Sequence, residues 1–285
     1  MSLRHHQAET LLNILGAKLQ PTKPALKHLG QHGIRFLTRL FNLSLQTADI
    51  PVIWKASIVI PVPKPGKPLD EGTSYRPISL LSPEVKVLER LLLPELTQSL
   101  APNRSQHGFR PQHSTTTALM PLVTTIARSF NSAKPAVRTG LLSIDLSKAF
   151  DVIERDKLLA KVDATNLSPN LKRWLCAYLR DRKSRVRYQG VLSKWMKTKM
   201  GVPQGSVISP LLFNFFTADL EAAAAELCES YADDFHAASC SADLDDISDT
   251  LNRAAGELES WAEDNGMAIS APKSTMTLFT PWTKH

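Results

Sequence analysis

Residues 226–240 of the chain read ELCESYADDFHAASC, and two aspartates, Asp233 and Asp234, stand side by side between two short apolar runs. Short β-prone runs on either side of a polar turn predict a strand, a tight turn and a second strand. Turns accept aspartate readily, so the pair on its own needs no functional explanation. Neighbouring carboxylates nevertheless repel each other, and a larger cluster of them in the fold would require a cation.

A second stretch, LLSIDLSKAFD (141–151), supplies a further carboxylate. Asp145 interrupts an apolar strand, where an isolated charge is costly unless a cation receives it. Carboxylate oxygens are the ligands that Mg²⁺ prefers, and two such ions about 3.5–4 Å apart can hold the attacking and leaving oxygens of a phosphoryl displacement. The sequence therefore predicts that Asp145, Asp233 and Asp234 bind two Mg²⁺ ions, with Mn²⁺ as a substitute.

The segments around these two strands indicate the fold class. From residue 139 the patterns predict a strand, two helices (ERDKLLAKV and PNLKRWLCAYLRD), a basic hairpin (KSRVRYQG and WMKTKMG), a helix over 206–225 and the strand pair. A helix from Asp243 to Asn265 and the edge strand TMTLFT follow. This order predicts an α+β fold in which an antiparallel sheet is backed by helices.

The amino-terminal part of the chain carries helical and strand patterns of its own. GIRFLTRLFNLSLQ (33–46) has helical spacing, WKASIVIPVPK (54–64) is β-branched, and a proline-rich loop follows it. In LSPEVKVLERLLLPEL, Ser82 suits the N-cap and Pro83 the first position of a helix. These segments predict two core helices and a strand that leads into a projecting loop.

The charge distribution indicates a polyanionic partner. The net charge is +7 and the sequence pI is about 9.3. Between residues 172 and 199, ten Lys or Arg residues accompany a single acid, Asp181. Phosphate contacts by Lys and Arg supply most of the sequence-independent affinity for nucleic acids. We therefore expect a nucleic-acid-binding surface in this segment, formed by Arg182, Lys183, Arg185 and Arg187.

Other compositional features exclude several classes of protein. Cys176, Cys228 and Cys240 are odd in number and lack CxxC spacing, so neither a disulfide framework nor a zinc site is expected, and the thiols should be reduced and half-buried. No long apolar run and no secretory signal are present, which predicts an intracellular protein of the nucleus or cytoplasm without membrane contact. The solvated interpretation is favoured over a metal site for His5, His6, His28 and His32.

Taken in order, six motifs resemble those of the reverse transcriptase domain of non-long-terminal-repeat (LINE-like) retrotransposons. They are YRPISLL, QHGFRPQHST, LSIDLSKAFD, GVPQGSVISPLLFNFF, YADDF and APKSTMTLFT. The resemblance implies a right-hand polymerase with a helical extension over 1–49, fingers over 50–138 and a palm over 139–282, and no thumb is expected before His285. It also implies an RNA-directed DNA polymerase that adds deoxynucleotides to a primer 3′-hydroxyl. The implied partners are an RNA template, a DNA primer and deoxynucleoside triphosphates.

The resemblance assigns catalytic roles to matching residues. Asp145, Asp233 and Asp234 hold the metal ions, in agreement with the strand pattern, whereas Asp151 orients structure. Lys273 protonates the leaving pyrophosphate, as general acid catalysis requires.

The resemblance also implies how the nucleotide and template are held. Phe150 acts as a steric gate that excludes a ribose 2′-hydroxyl, and Gln204 lines the nucleotide pocket between two glycines. Lys64, or Lys67 in its place, and Arg76 grip the triphosphate, since guanidinium donors can chelate phosphate oxygens. Arg110 contacts the template backbone, and the neighbouring HST segment caps the next helix.

Departures from the family pattern leave alternatives open. An upstream PGPDG stretch is replaced by LQPTKPALKHLG, and the chain ends just after the last predicted palm strand. The chain can therefore be a truncated or inactive copy, a catalytically silent nucleic-acid-binding remnant, or a group II intron-type reverse transcriptase. A different two-metal enzyme such as a nuclease is a further alternative, although it would not need the PQG motif or Phe150.

Overall fold

The computed structural model describes residues 29–132, 135–220 and 227–281. In chain order the helices and strands are α1 (Gln31–Thr47), β1 (Ala56–Pro63), β2 (Tyr75–Leu80), α2 (Pro83–Ser99), α3 (Thr115–Phe130), β3 (Arg138–Asp145), α4 (Ala149–Val152), α5 (Arg155–Asp163), α6 (Pro169–Leu179), β4 (Lys183–Tyr188), β5 (Val191–Leu192), β6 (Met196–Lys197), α7 (Ser209–Phe216), β7 (Leu227–Tyr231), β8 (Asp234–Ser241), α8 (Leu244–Asp264) and β9 (Thr275–Phe279).

The chain folds into two compact units, each built from two separate stretches of sequence. The first unit contains Met1–Leu100 and Arg155–Leu212, and the second contains Ala101–Glu154 and Phe213–His285. The predicted boundaries of an extension, fingers and palm do not coincide with these units and stay a prediction. His5, His6 and His28 lie outside the described residues, and His32 is exposed on α1.

In the described residues, the first unit contains a mixed sheet and the four helices α1, α2, α5 and α6. The strand order is β2-β1-β4-β5, with β6 also paired to β4, and β1 runs antiparallel to β2 but parallel to β4. Apolar residues at helical spacing in α1 bury one face, and Phe41 packs against the Trp54 ring at a centroid distance of 5.8 Å. The indole of Trp174 in α6 donates a hydrogen bond of 3.1 Å to Ser44. The two predicted core helices of the amino-terminal part are confirmed.

The predicted basic hairpin is also confirmed in the first unit. β4 pairs antiparallel with β5 and with β6, and Gly190 has a φ of 82° in the turn before β5. The parallel pairing of β4 with β1 was not predicted, because the two strands are separated by more than a hundred residues of sequence. This pairing makes the hairpin part of a larger sheet.

An antiparallel sheet forms the centre of the second unit. Its strand order is β7-β8-β3-β9, and β8 pairs with β3 over its whole length. Helix α8 packs so closely on β3 that a Cβ on Gly140 would lie 2.4 Å from Ile247. The strand, turn and strand around the paired aspartates, the helix after Asp243 and the edge strand TMTLFT are confirmed.

The helix expected over 206–225 is shorter than predicted. Helix α7 begins at Ser209, because the Ser206 hydroxyl accepts the backbone N–H groups of Ile208 and Ser209 and so ends the preceding loop. After Phe216 the chain turns, and residues 221–226 lie outside the described ranges. The three cysteines are free thiols of intermediate exposure, as expected.

None of the helices in the described ranges combines the length and the apolar character that a membrane crossing needs.

Candidate active site

The three aspartates meet at one end of the antiparallel sheet in the second unit. The β3–β8 register places Asp145 directly opposite Asp234, and Ala232 and Asp233 form the turn between β7 and β8. Ala232 adopts the left-handed conformation with a φ of 58°, which turns the chain sharply before the two carboxylates. Burial raises the pKa of Asp233, and the nearby charges of Asp234 and Asp145 raise it further.

Lys273 joins this group of carboxylates. Its Nζ lies 2.8 Å from Oδ2 of Asp145, and the lysine side chain is 64% exposed against 19% for the aspartate. The backbone N–H of Ser270 donates to the Asp145 carbonyl at 2.8 Å, which fixes the short 3-10 helix Ala271–Lys273 beside β3. The hydrogen bond to Asp145 raises the pKa of Lys273, so its ammonium stays protonated.

The donor chemistry of this group fits a hard divalent cation. In the part of the chain that the structure describes, no three His, Cys, Asp or Glu side chains are already arranged to hold a metal ion. Asp145 on β3 nevertheless lies opposite Asp234 on β8, and Asp233 lies in the turn between β7 and β8. The three carboxylates are therefore neighbours. Burial and then the charges of Asp234 and Asp145 raise the pKa of Asp233, and a bound cation would offset this cost of ionising the carboxylate.

Phe150 belongs to a row of three aromatic rings in the second unit. Its ring stacks on Phe213 at a centroid distance of 4.4 Å and an angle of 18°, and it meets the edge of Phe109 at 5.8 Å. Phe213 is fully buried, Phe150 is half-buried, and Phe109 is 56% exposed. This position gives Phe150 both a packing partner below it and an open side, so a gate role stays a prediction.

Arg110 is engaged within its own loop. Its Nη1 donates to the backbone carbonyls of Asn103, Arg104 and Gln106 at 2.8–3.2 Å. These bonds give the guanidinium a structural role that the sequence did not indicate, and a template contact by Arg110 stays untested. Ser114 caps α3 in a reciprocal capping box with Thr117, as the HST segment predicted.

In the first unit, a buried carboxylate holds the GVPQGS loop. Glu89 accepts hydrogen bonds from Tyr178, from the Ser206 hydroxyl at 3.0 Å and from the Val207 N–H at 2.6 Å. Burial raises the pKa of Glu89 despite these donors. Glu89 was not among the predicted site residues, although an acid within the apolar face of α2, next to Leu88, was a signal for a buried polar network.

The glycine after Gln204 is required by close contact with the backbone of β2. Gly205 has a φ of 119°, and a Cβ there would lie 2.5 Å from the Ser79 carbonyl oxygen. The Ser79 N–H donates to the Gln204 carbonyl at 2.6 Å, which joins this loop to β2. The close approach that Gly205 allows is therefore to the backbone of β2.

We expect Gly205→Ala to lower the free energy of unfolding by about 2–3 kcal/mol, because it adds both a strained φ and a steric contact. Chemical denaturation monitored by circular dichroism measures this change. The matched control is Gly72→Ala, since a Cβ on Gly72 meets no atom within 4 Å. Equal stability of the two variants would contradict the proposed cause.

Lys64 and Arg76, which were predicted to bind the triphosphate, both lie in the first unit. Lys64 directly follows β1, and Arg76 lies on β2. Lys64 donates from its Nζ to the Thr73 carbonyl at 2.9 Å, and its own N–H bonds the Ser74 carbonyl. Arg76 is exposed on β2, opposite Val62 on β1. Lys64 therefore closes the 64–74 loop, while Arg76 presents its side chain to solvent.

One prediction about the basic segment needs correction. Arg182 is 3% exposed, donates to the carbonyls of Tyr178 and Trp54, and lies over the Tyr178 ring at 4.6 Å. Its guanidinium is part of the core because the electron-rich ring and the two carbonyls compensate its charge there. Arg182 therefore does not belong to the predicted nucleic-acid surface.

The rest of the basic hairpin remains accessible. Lys183 and Arg185 both lie over the Trp195 ring, at 5.1 and 4.5 Å, and Arg187 is exposed. The β4–β6 register places Lys183 directly opposite Lys197, and like charges at opposed positions repel unless an anion lies between them. A contact of these residues with nucleic acid stays a prediction.

Comparisons with known sequences identify the family of the chain. A sequence profile of the family described as "Reverse transcriptase (RNA-dependent DNA polymerase)" matches residues 62–284. The probable RNA-directed DNA polymerase from transposon BS of Drosophila melanogaster is 32% identical over 90% of this chain and 29% of its own length. The RNA-directed DNA polymerase from mobile element jockey of Drosophila funebris is 31% identical over 93% of this chain and 31% of its own length. The chain thus spans less than a third of these relatives.

Solved structures show the same fold. Apo telomerase from Candida tropicalis, truncated from the C-terminal domain, matches with a TM-score of 0.59 and 12% identity over 83% of this chain and 52% of that chain. Telomerase of the same organism in complex with a fragment of telomeric RNA matches with a TM-score of 0.53 and 13% identity. At such identities the likeness concerns the fold alone, and it confirms the predicted α+β class.

Proposed function

The chain belongs to the reverse transcriptase (RNA-dependent DNA polymerase) family, and from this premise we propose that it copies RNA into DNA as the polymerase domain of a non-long-terminal-repeat retrotransposon protein. The observation that carries the proposal is the meeting of Asp145, Asp233, Asp234 and Lys273 at one end of the antiparallel sheet. The proposed partners are an RNA template, a DNA primer and deoxynucleoside triphosphates, and the proposed cofactor is Mg²⁺, with Mn²⁺ as a substitute.

In this proposal Asp145, Asp233 and Asp234 are the metal ligands. A pair of bound Mg²⁺ ions supplies activation of the primer 3′-hydroxyl and stabilisation of the charge on the leaving oxygen. The paired strands hold Asp145 and Asp234 opposite each other, and the tight turn adds Asp233 to the same end of the sheet. Lys273 is protonated and exposed beside Asp145, and we propose that it donates a proton to the leaving pyrophosphate.

Roles toward the nucleotide are proposed for individual residues. We propose that Phe150 excludes the ribose 2′-hydroxyl and that Gln204 contributes to the nucleotide pocket. Arg76, whose guanidinium faces solvent, is the stronger candidate for the triphosphate than Lys64, whose ammonium bonds the Thr73 carbonyl.

Incorporation of dTMP on an oligo(dT) primer tests the proposed function. The purified chain, supplied with Mg²⁺, is compared on poly(rA) and on poly(dA) templates. The proposal predicts incorporation on poly(rA) that requires the divalent cation. Nucleic-acid binding without incorporation on either template would support the catalytically silent alternative, and cleavage of the template would support a nuclease.

The basic hairpin is proposed to bind the nucleic-acid backbone through its exposed Lys and Arg side chains. Their removal should then weaken the salt dependence of binding. Changing Arg187, Lys194 and Lys197 together to Gln should reduce the slope of log K against log salt by about 0.9 for each duplex phosphate contact that is lost. All three side chains are exposed, so the fold should be retained. Fluorescence anisotropy of a primed RNA duplex at several salt concentrations measures the slope.

The control for this variant removes the same amount of charge elsewhere. Arg35, Arg39 and Arg253 are also exposed, and their joint change to Gln should leave the salt slope near its wild-type value. If both triple variants lower the slope equally, the hairpin has no special role and the binding reflects net charge only.

A further inference from the structure

The turn that carries the paired aspartates is clamped by a loop that precedes it by more than a hundred residues. The segment 105–108 runs beside β7, with a parallel bridge between Gln106 and Ser230. The Ser230 N–H donates to the Ser105 carbonyl at 2.9 Å, and the His107 N–H donates to the Ser230 carbonyl at 2.8 Å. The QHGFR loop therefore extends the sheet at the edge that leads into the turn.

The side chain of Gln106 binds both backbone groups of Ala232. Its Oε1 accepts the Ala232 N–H at 2.9 Å, and its Nε2 donates to the Ala232 carbonyl at 3.1 Å. The same Oε1 accepts the Gly108 N–H at 2.7 Å, and the residue is only 3% exposed. A buried carboxamide thus supplies the hydrogen bonds that a regular strand pair would give, at the residue that precedes Asp233.

Ala232 needs this support because its backbone is in an unfavourable region. A φ of 58° is uncommon for a residue with a Cβ, and such residues persist only where the surrounding structure determines them. The N–H and the carbonyl of Ala232 are both hydrogen-bonded to the side chain of Gln106. Without Gln106 the peptide planes on either side of Ala232 would lose the contacts that fix their orientation.

Close packing by Gly108 completes the clamp. A Cβ on Gly108 would lie 2.4 Å from the Ala232 nitrogen and 2.9 Å from its Cα, so only glycine allows the loop to lie this close. The Gly108 carbonyl accepts a hydrogen bond of 2.8 Å from Asn214, which is buried in α7. His107 bonds Glu229 of β7 at 2.9 Å on the other side.

We propose that Gln106 is a positioning residue for the metal-binding carboxylates: it fixes the left-handed Ala232 and so determines where Asp233 and Asp234 leave the turn. The inference rests on the proposed function for its catalytic consequence. Residues that orient metal ligands typically contribute about 10- to 100-fold to metal affinity or activity without touching the ion. Gln106 meets that description, since its contacts are to the backbone next to a ligand.

The test compares Gln106→Met with the wild-type chain in three measurements. Hydrogen exchange followed by mass spectrometry should be faster in peptides that cover 227–235 and unchanged in peptides of α8. Titration with Mn²⁺ alone, followed by electron paramagnetic resonance, should show binding weakened by about tenfold or more. In primer extension, kcat should fall by at least a similar factor, while the KM for the deoxynucleotide changes much less.

Matched variants separate positioning from a general loss of stability. Gln98→Met replaces an exposed glutamine of α2 and should leave all three measurements at wild-type values. If Gln106→Met fails to fold, Gln106→Glu takes its place, because it keeps the acceptor oxygen and loses only the donor to the Ala232 carbonyl. Its added negative charge would by itself tighten Mn²⁺ binding, so weaker binding supports positioning.

Each outcome decides between the inference and the proposed function. Wild-type exchange in the turn and wild-type Mn²⁺ affinity in Gln106→Met, or wild-type exchange in the turn of Gln106→Glu, would overturn the positioning role while polymerase activity stands. If the wild-type chain extends no primer but Gln106→Met still loosens the turn and weakens Asp233-dependent Mn²⁺ binding, the proposed function fails and the positioning role holds. Absence of Asp233-dependent Mn²⁺ binding in the wild type would overturn both.

Discussion

Replacing Asp233 by Asn is expected to abolish primer extension while leaving the fold intact. The change removes one anionic ligand from the three carboxylates at the end of the sheet, and loss of a group that stabilises the transition state electrostatically costs roughly 10²- to 10³-fold in kcat. Asn fits the same turn because it also tolerates tight-turn geometry. Single-turnover extension of a labelled primer measures the loss.

The same variant should be at least as stable as the wild type when no divalent cation is present. Burial and the nearby Asp234 and Asp145 raise the pKa of Asp233, so the folded state binds the proton more tightly than the unfolded chain does. Wild-type stability therefore falls as the pH rises from about 3.9, the ordinary value for Asp, to the raised value, and is then constant. Asn does not titrate, so its side chain adds no such pH dependence to the stability. The gain in stability of Asp233→Asn over the wild type should therefore be absent at about pH 3 and complete at neutral pH.

Thermal melts at acidic and neutral pH in the presence of a chelator measure this difference. Extension at the wild-type rate by Asp233→Asn would contradict the metal assignment. A neutral-pH melting temperature well below that of the wild type would show that the aspartate has a structural role in the turn.

Replacing Phe150 by Val is expected to admit ribonucleotides. If the ring lies under the incoming sugar, removing it opens space for the 2′-hydroxyl, and the ratio of kcat/KM for ribonucleotides to that for deoxynucleotides should rise by roughly 10- to 100-fold. Use of deoxynucleotides should fall much less, because they do not need the added space. Steady-state incorporation of matched nucleotide pairs measures the ratio.

The aromatic row provides the control for this prediction. Phe150 stacks on Phe213, so Phe150→Val also removes packing. Phe213→Leu weakens the same stack from the buried side and leaves the Phe150 ring in place, so it should lower stability without changing the nucleotide ratio. A rise of the ratio in both variants would assign the effect to loosened packing, and a constant ratio in Phe150→Val would exclude the gate.

Local patterns account for the parts of the fold that were predicted correctly. The paired aspartates lie between two β-prone runs, and the alternation of TMTLFT and the spacing of α8 depend on residues close in sequence. A site shared by Asp145 and the paired aspartates was expected from one charge inside an apolar strand, whereas the direct opposition of Asp145 and Asp234 was not predicted. Such signals need no knowledge of the tertiary structure.

Burial of individual polar residues could not be predicted, because it depends on distant partners. Arg182 was expected to face nucleic acid, but its guanidinium bonds the Trp54 carbonyl, 128 residues away. Gln106 binds Ala232 across 126 residues, and Glu89 binds Ser206 across 117. The QHGFR motif was recognised as a sequence, yet nothing in it indicated that its glutamine supports the turn of the aspartates.

The most direct test of the central claim is to sequence the product that the purified chain makes on a heteropolymeric RNA template with a DNA primer, all four deoxynucleotides and Mg²⁺. The account predicts that the added nucleotides are complementary to the RNA beyond the primer end, even if only a few are added before dissociation. Added nucleotides without relation to the template, or no addition with RNA while DNA templates are copied, would contradict it.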